Sequence, residues 1–257
     1  MTAVWHSLYI AQRHVRGLIR QPWYIAFTLL QPIMWLVLYS QLFKRVTDLP
    51  GFNTASYITF LTPGIIVSSA LFSGGWSGMG VIVDIDKGVM DRLLVSPVSR
   101  VAIMAGRLAQ MAAVSVVQSL VLLALGFVLG ARYAGGAGGL IVLLLSGVLL
   151  CASFGALSNA MALVMRKPES VIGASNFVLL PLTFLSPIYM ARDLMPFWMR
   201  AVAPLNPVTW SAEAARAAIS GQADWKFVAT RLGLLVLFTI GSLGLATRAF
   251  RAYQQSV

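Results

Sequence analysis

Apolar residues in this chain form long uninterrupted runs and do not alternate with polar ones. Six runs contain no charged side chain, at 23–43, 49–83, 108–131, 133–165, 170–191 and 232–247. A helix needs about 20 mostly apolar residues to cross a bilayer. Lipid favours helices because each one satisfies its own backbone hydrogen bonds. The pattern predicts an all-α membrane protein with six transmembrane helices.

The lengths of these runs also predict where loops begin. The second and fourth runs are long enough to include loop residues, marked by 53–56 and by the glycine-rich stretch 135–139. The last run is short, and Arg231 and Arg248 at its ends can extend it by snorkelling. Glycines spaced as in Gly74-x-x-x-Gly78 can allow two helices to approach closely.

Composition supports a membrane location. Hydrophobic residues make up 58% of the chain and charged residues 11%, whereas soluble domains carry about 25% charge. The net charge of +11 comes from basic residues at the ends of the runs. This placement indicates that they set the membrane topology and contact anionic lipid, and it does not favour nucleic-acid binding. Lys and Arg are in excess on one side, which predicts a multi-pass protein of the cell (inner) membrane with both termini cytoplasmic.

Residues 1–22 are predicted to form an amphipathic helix at the membrane interface. Apolar residues share one arc, and Arg13, Arg16 and Arg20 lie opposite, which is typical of interfacial helices. Two readings stay open for this helix: a lipid anchor, or a connecting helix that also touches a cytoplasmic partner.

A charged island at 84–100 separates the second and third runs. It contains Asp84, Asp86, Lys87, Asp91, Arg92 and Arg100. A short helix bounded by Gly88 and Pro97 is predicted within it. Such an element suits docking onto a cytoplasmic protein; the alternative is a solvated loop.

The segment 192–226 is predicted to lie outside and to contain two short helices. The first spans about 196–203 and includes Pro196 and Trp198. The second starts at Asn206-Pro207, with Asn as N-cap and Pro in the first helical position. It ends near Gly221, a favourable stop. Tryptophan at membrane interfaces suggests that these helices dip into the membrane edge.

Several chemistries are missing from the sequence. The two histidines lie at positions 6 and 14, and there is no His-Glu-x-x-His pattern, cysteine cluster or ATP-binding P-loop. All eight acidic residues lie outside the predicted spans, whereas ion-coupled carriers usually hold a carboxylate within the membrane. We predict no catalytic residue and no metal site, and an energy source on another chain.

Aromatic and uncharged polar residues recur at helical spacing inside the runs. Six of them suggest a substrate pathway for an amphiphilic cargo: Gln31, Trp35, Tyr39, Phe72, Trp76 and Asn176. Ordinary helix packing is the other explanation of the same pattern.

Three motifs carry a family resemblance. They are Asp84-x-x-x-Gly88-x-x-Asp91-Arg92 continuing to Pro97-Val-Ser99-Arg100, Phe60-Leu-Thr-Pro63-Gly64, and Pro196-Phe-Trp followed by Leu205-Asn206-Pro207. With the order of apolar runs, they resemble the permease subunits of type-2 ATP-binding-cassette (ABC) exporters, especially the daunorubicin-resistance branch.

The resemblance implies a single permease domain over 1–257, with six membrane helices in 23–250. Two such permease subunits, identical or paralogous, would pair in the membrane. Each would rest on a separate ATPase subunit that binds ATP and Mg. The implied ATPase-coupling residues are Asp84, Asp86, Lys87, Gly88, Asp91, Arg92, Leu93, Leu94, Pro97, Ser99 and Arg100, with a smaller contact at Arg166, Lys167 and Glu169. Pro196, Trp198, Asn206 and Pro207 would belong to an outer gate.

The implied function is export of a drug, antibiotic or lipid-like molecule, without enzymatic activity in this chain. Three alternatives stay open: a permease for polysaccharide or glycolipid, a secondary carrier acting alone, and a membrane scaffold.

Overall fold

The computed structural model describes residues 22–48, 56–89, 100–221 and 223–255. In these ranges every long regular element is an α-helix: α1 (Pro22–Leu42), α2 (Tyr57–Gly75), α3 (Gly78–Asp86), α4 (Arg100–Val128), α5 (Gly136–Met165), α6 (Pro168–Phe184), α7 (Phe197–Val202), α8 (Pro207–Ile219) and α9 (Trp225–Gln255). Short 3-10 helices cover Lys44–Asp48, Arg192–Leu194 and Ala203–Leu205. The predicted all-α class is confirmed.

Four described stretches are long and apolar enough to cross a bilayer. They are Tyr57–Asp86, Gly106–Val128, Gly136–Met165 and Trp225–Tyr253, and a shorter apolar helix covers Ala26–Leu42. The chain is therefore a multi-pass membrane protein. The 17-residue helix α6 occupies the fifth run, and the count of six spans stays a prediction.

Helix α5 is the centre of the bundle. It contacts α2, α3, α4, α6, α8 and α9, and Leu143, Leu150 and Cys151 on it are fully buried. Cys151 is therefore a small residue of the core. Because α5 touches so many elements, it fixes how α2 and α8 face one another.

Small residues allow α2 and α3 to lie directly against α5. A Cβ added at Gly74 would overlap the backbone carbonyl of Cys151, and one at Gly78 would overlap that of Ser158. The predicted close approach at Gly74-x-x-x-Gly78 is confirmed on these contacts. Backbone approaches of this kind stabilise membrane helix pairs through van der Waals contact.

The second predicted span is not one continuous helix, which corrects the sequence reading. A turn at Trp76 and Ser77 separates α2 from α3. Side chains from other helices satisfy its backbone: the Ser158 hydroxyl accepts from Gly78 N at 3.0 Å, and Ser158 and Ser175 donate to Gly75 O at 2.6 and 2.9 Å. No proline marks this break; the local signal is the pair Gly74-Gly75 just before it and Gly78 just after it.

Two helix ends also differ from the predicted ones. Helix α6 stops at Phe184, seven residues before the end of the fifth run, in a turn closed by the hydrogen bond from Leu185 N to Pro181 O. Helix α9 starts at Trp225, because Asp224 Oδ1 accepts hydrogen bonds from Lys226 N and Phe227 N. Lys226, predicted in the outer segment, therefore belongs to α9.

Candidate functional site

A cavity of about 770 Å³ lies between α1, α2, α4 and α6. Met79 and Gly80 of α3, Asn159 of α5 and Tyr189, in the turn after α6, complete its wall. Pockets for small molecules commonly have this size and lie between helices in bundles. The cavity lies next to the α2–α3 turn, and α3 runs from this turn towards residue 87.

One part of the wall is aromatic. The rings of Phe72 and Trp76 are 5.4 Å apart, and those of Trp35 and Tyr189 are 5.7 Å apart. Tyr39 does not line the cavity, but its ring lies 4.8 Å from Trp35 and 5.4 Å from Tyr189. These rings offer a flat apolar surface to a bound molecule.

Uncharged polar groups form the rest of the wall. The Oε1 atom of Gln118 accepts from the hydroxyls of Ser73 at 2.9 Å and Ser69 at 3.4 Å. Trp76 Nε1 donates to Asn176 Oδ1 at 3.3 Å, which joins α6 to the α2–α3 turn. Such groups can orient an amphiphile without a large desolvation cost.

A single charged side chain lines the cavity among the residues that the structure describes. It is Arg107 of α4, whose Nη2 donates to the carboxylate of Asp84 on α3. This ion pair connects the two helices that flank residues 87–99. Ionisable groups at membrane depth are uncommon and usually face the interior of a bundle.

Five of the six predicted substrate-pathway residues line this one cavity: Gln31, Trp35, Phe72, Trp76 and Asn176. Tyr39 stands one ring behind them. Their role in transport stays a prediction.

The sequence reading did not select several other wall residues. Gln110, Gln118 and Asn159 were recognisable as polar residues inside predicted spans. Tyr189 was not, because it belongs to a turn that the sequence places in a span. Arg107 stands at the edge of the charged island, and its sequence position did not reveal that it faces a cavity.

The predicted coupling residues are only partly described. Asp84 and Asp86 belong to α3, so the helix reaches further into the island than predicted. Lys87 follows as its C-cap, and Gly88 adopts a left-handed φ of 63° that favours glycine. Arg100 begins α4. Asp91, Arg92, Leu93, Leu94, Pro97 and Ser99, with the predicted short helix and the interfacial helix of 1–21, lie outside the described residues.

The smaller predicted contact forms the turn between α5 and α6. Arg166 ends α5 with φ at 52°, and its guanidinium lies 4.8 Å from the ring centre of Tyr253 on α9. Lys167 is the N-cap of α6, and Glu169 is in its first turn. These positions place the turn beside the end of α9.

The two short helices of the outer segment are confirmed as α7 and α8. The Asn206 side chain accepts from Val208 N at 2.9 Å, as an N-cap does, and its Nδ2 donates to Leu182 O of α6 at 2.7 Å. Pro207 is the first residue of α8. Pro196 precedes α7, and Trp198 is exposed on it.

Arg216 connects α8 to the top of α2 and to the turn after α6. Its guanidinium donates to the carbonyls of Phe60, Pro187 and Ile188 and stacks 3.7 Å from the ring centre of Phe60. Burial lowers the pKa of Arg216 to about 9, so it remains a cation at neutral pH. Three backbone carbonyls therefore satisfy a buried charge.

Glu213, one turn earlier on α8, pairs with two arginines. Arg231 Nη2 of α9 lies 2.8 Å from Oε2, and Arg192 Nη1 lies 3.8 Å from Oε1. Glu213 and Arg216 thus anchor α8 to α9, to α2 and to the turn after α6.

The ABC-2 type transporter family model matches residues 7–220. The chain belongs to this family, and it is a transport permease subunit that resembles the daunorubicin-resistance permeases. It is 32% identical to the daunorubicin resistance ABC transporter permease protein DrrB1 of Streptomyces coeruleorubidus, over 76% of this chain and 68% of that protein.

More distant relatives cover a similar part of the chain. It is 29% identical to the putative transport permease ycf38 of Cyanophora paradoxa, over 81% of this chain and 71% of that protein. It is 26% identical to the inner membrane transport permease YadH of Escherichia coli K12, over 83% of each chain. The family in general works with an ABC ATPase partner.

Proposed function

We propose that this chain is the membrane half of an ATP-driven exporter that moves an amphiphilic small molecule, such as a drug, an antibiotic or a lipid-like compound, out of the cytoplasm. The observation that carries the proposal is the cavity of about 770 Å³ with one aromatic wall and one polar wall, in a chain of a transporter family. An amphiphile can satisfy both walls at once.

ATP and Mg bind to the partner ATPase in this proposal and not to this chain. Two ATPase subunits and a second permease copy, identical or paralogous, complete the transporter. Residues 84–100 with the turn at Arg166, Lys167 and Glu169 dock onto the ATPase. The complex resides in the cell membrane with both termini cytoplasmic, in line with the excess of basic residues on that side.

The break between α2 and α3 supports a coupling route. The Trp76 ring lines the cavity at this break, and α3 runs from Gly78 to Asp86, so its end belongs to the docking segment. Movement of that segment by the ATPase would therefore reach the cavity wall through α3 itself, whose Met79 and Gly80 line the cavity. At the other end, α8 with Asn206 and Pro207, and α7 with Pro196 and Trp198, serve as the outer gate.

The test is uptake of a fluorescent amphiphile into inverted membrane vesicles that contain the chain and its ATPase. We expect uptake to require ATP and to fall several-fold in Trp76→Ala, because the variant loses an aromatic wall and the bond to Asn176. Phe127→Ala is the matched control, since Phe127 is an exposed aromatic residue of α4 outside the cavity. Uptake that does not require ATP, or uptake that is unchanged in Trp76→Ala, would contradict the proposal.

A further inference from the structure

Arg107 presents a positive charge to the cavity without presenting its counter-ion. Arg107 belongs to the cavity wall, while Asp84, its ion-pair partner, does not. A molecule in the cavity therefore contacts Arg107, and Asp84 lies behind it as the ion-pair partner.

The guanidinium has donors left for a ligand. An arginine carries five N–H donors, and the pair with Asp84 uses Nη2. Nη1 lies 3.7 Å from the position that a Cβ at Gly80 would occupy. This atom of Arg107 therefore lies beside Gly80 of α3, and both residues line the cavity.

The surroundings of Arg107 suit a headgroup with an apolar body. Gln110 lies one helical turn along α4 and lines the same cavity, so its amide can bind the polar end of a ligand. Phe72, Trp76 and Met79 provide the adjoining apolar wall. The polar end and the apolar surface thus meet within one site.

Charge decides which headgroup this site favours. A buried anion gains charge-assisted hydrogen bonds from a guanidinium, whereas a buried cation loses hydration and finds no carboxylate among the described residues of the wall. We propose that the cavity selects amphiphiles with an anionic headgroup and that Arg107 recognises that headgroup. The inference rests on the proposed function and deepens it by naming the substrate class.

The ion pair makes this recognition competitive. Asp84 and the anionic headgroup share one guanidinium, so loss of the carboxylate should strengthen ligand binding and loss of the guanidinium should weaken it. A pair that only holds α3 against α4 predicts the opposite pattern, because Asp84→Asn and Arg107→Gln would then disturb the cavity in the same direction. The two variants together separate recognition from structural support.

The experiment measures binding of three probes to the full chain in phosphatidylcholine nanodiscs. Each probe is a dansyl-labelled dodecyl chain that ends in sulfate, hydroxyl or trimethylammonium, and energy transfer from tryptophan reports binding. We expect wild type to bind the sulfate about tenfold more tightly than the trimethylammonium probe, the scale of one charged hydrogen bond.

The variants give the decisive comparison. Arg107→Gln should remove the preference for sulfate, Arg107→Lys should keep part of it because the charge remains without the planar fork, and Asp84→Asn should tighten sulfate binding. Equal binding of the three probes by wild type, or weaker sulfate binding in Asp84→Asn, would overturn the inference. If Arg107→Gln does not fold, the Lys and Asn variants still decide.

Binding in nanodiscs needs no ATPase, so this test is independent of the proposed function. A sulfate preference that depends on Arg107, together with absent ATP-driven uptake, would count against the exporter and support the binding site. ATP-driven uptake without any preference for the sulfate probe would support the exporter and count against the anion-binding site.

Discussion

At the residue scale, Arg216 holds α8 against α2 and against the turn after α6. It is a buried cation that bonds to three backbone carbonyls from two separate segments. The carbonyls of Pro187 and Ile188 lie in a turn outside the helices, so the guanidinium supplies the partner that water would otherwise provide. Its ring contact with Phe60 adds a cation–π interaction.

Arg216→Ala should therefore destabilise the protein strongly. The variant leaves buried carbonyls without donors, a loss of about 3 kcal/mol or more, and thermal unfolding in mild detergent measures it. Arg132→Ala removes the same charge from an exposed side chain in the turn between α4 and α5 and should change stability by less than about 0.5 kcal/mol. Equal stability of the two variants would contradict the role assigned to Arg216.

A second prediction at the residue scale concerns the packing of α2 against α5. Gly74→Ala places a methyl group on the Cys151 carbonyl, which α5 cannot move without shifting the bundle, so we expect a loss of about 1–3 kcal/mol. Gly173→Ala on α6 meets no atom within 4 Å and should be neutral or slightly stabilising, because alanine favours helix. Chemical denaturation of both variants in the same detergent would show this difference, and a neutral Gly74→Ala would refute the contact.

Among the elements, α8 owes its start to one side chain with two roles. Asn206 caps α8 through its oxygen and joins it to α6 through its nitrogen. Both bonds are buried together. Helix α8 therefore cannot leave its place without also breaking the contact with α6.

Two substitutions at Asn206 separate these roles. Asn206→Ala loses both bonds and should cost at least about 1–2 kcal/mol of stability, the usual value of an N-cap. Asn206→Ser keeps a capping oxygen and loses the donor to Leu182, so it should unfold between wild type and the alanine variant. Thermal unfolding of the three proteins measures the order, and a serine variant no more stable than the alanine variant would contradict the capping role.

At the element scale, the sequence predicted those helices whose signal lies in consecutive residues of the chain. Long uncharged runs indicated the apolar helices, and the Asn-Pro pair indicated the start of α8. The break at Trp76 and Ser77 was missed although Gly74-Gly75 precede it; the contacts with Ser158 and Ser175 that stabilise it come from other helices and leave no local pattern. The start of α9 was placed too late because Lys226 and Arg231 interrupt the uncharged run, although Asp224 caps the helix before them.

For the whole molecule, the candidate cavity was predictable only in part. Helical spacing identified Trp35, Phe72 and Trp76, since residues of one helical face stay neighbours in any fold. Tyr189 reaches the cavity through the turn after α6, and Arg107 reaches it from α4, where it pairs with Asp84 of α3. Tertiary structure places both residues in the cavity wall, and it leaves no local pattern in the sequence.

The docking segment allows a prediction about coupling in the assembled transporter. We expect Leu94→Asp and Arg92→Glu each to abolish ATP-driven transport while the permease remains folded, because the charge changes disrupt apolar and ionic contacts with the ATPase. Transport in vesicles and ATPase activity of the complex are measured together, with thermal unfolding of the permease as the control for folding. Normal export by both variants would show that this segment does not couple the two subunits.

The most direct test of the account is to purify the tagged chain from its native membrane in mild detergent and to determine the composition of the complex by mass analysis. The account predicts recovery of an ABC ATPase subunit in one copy per permease, with a second permease in the same complex. Recovery of the chain alone, in several detergents and from intact membranes, would contradict it and would favour a carrier or scaffold that acts without an ATPase.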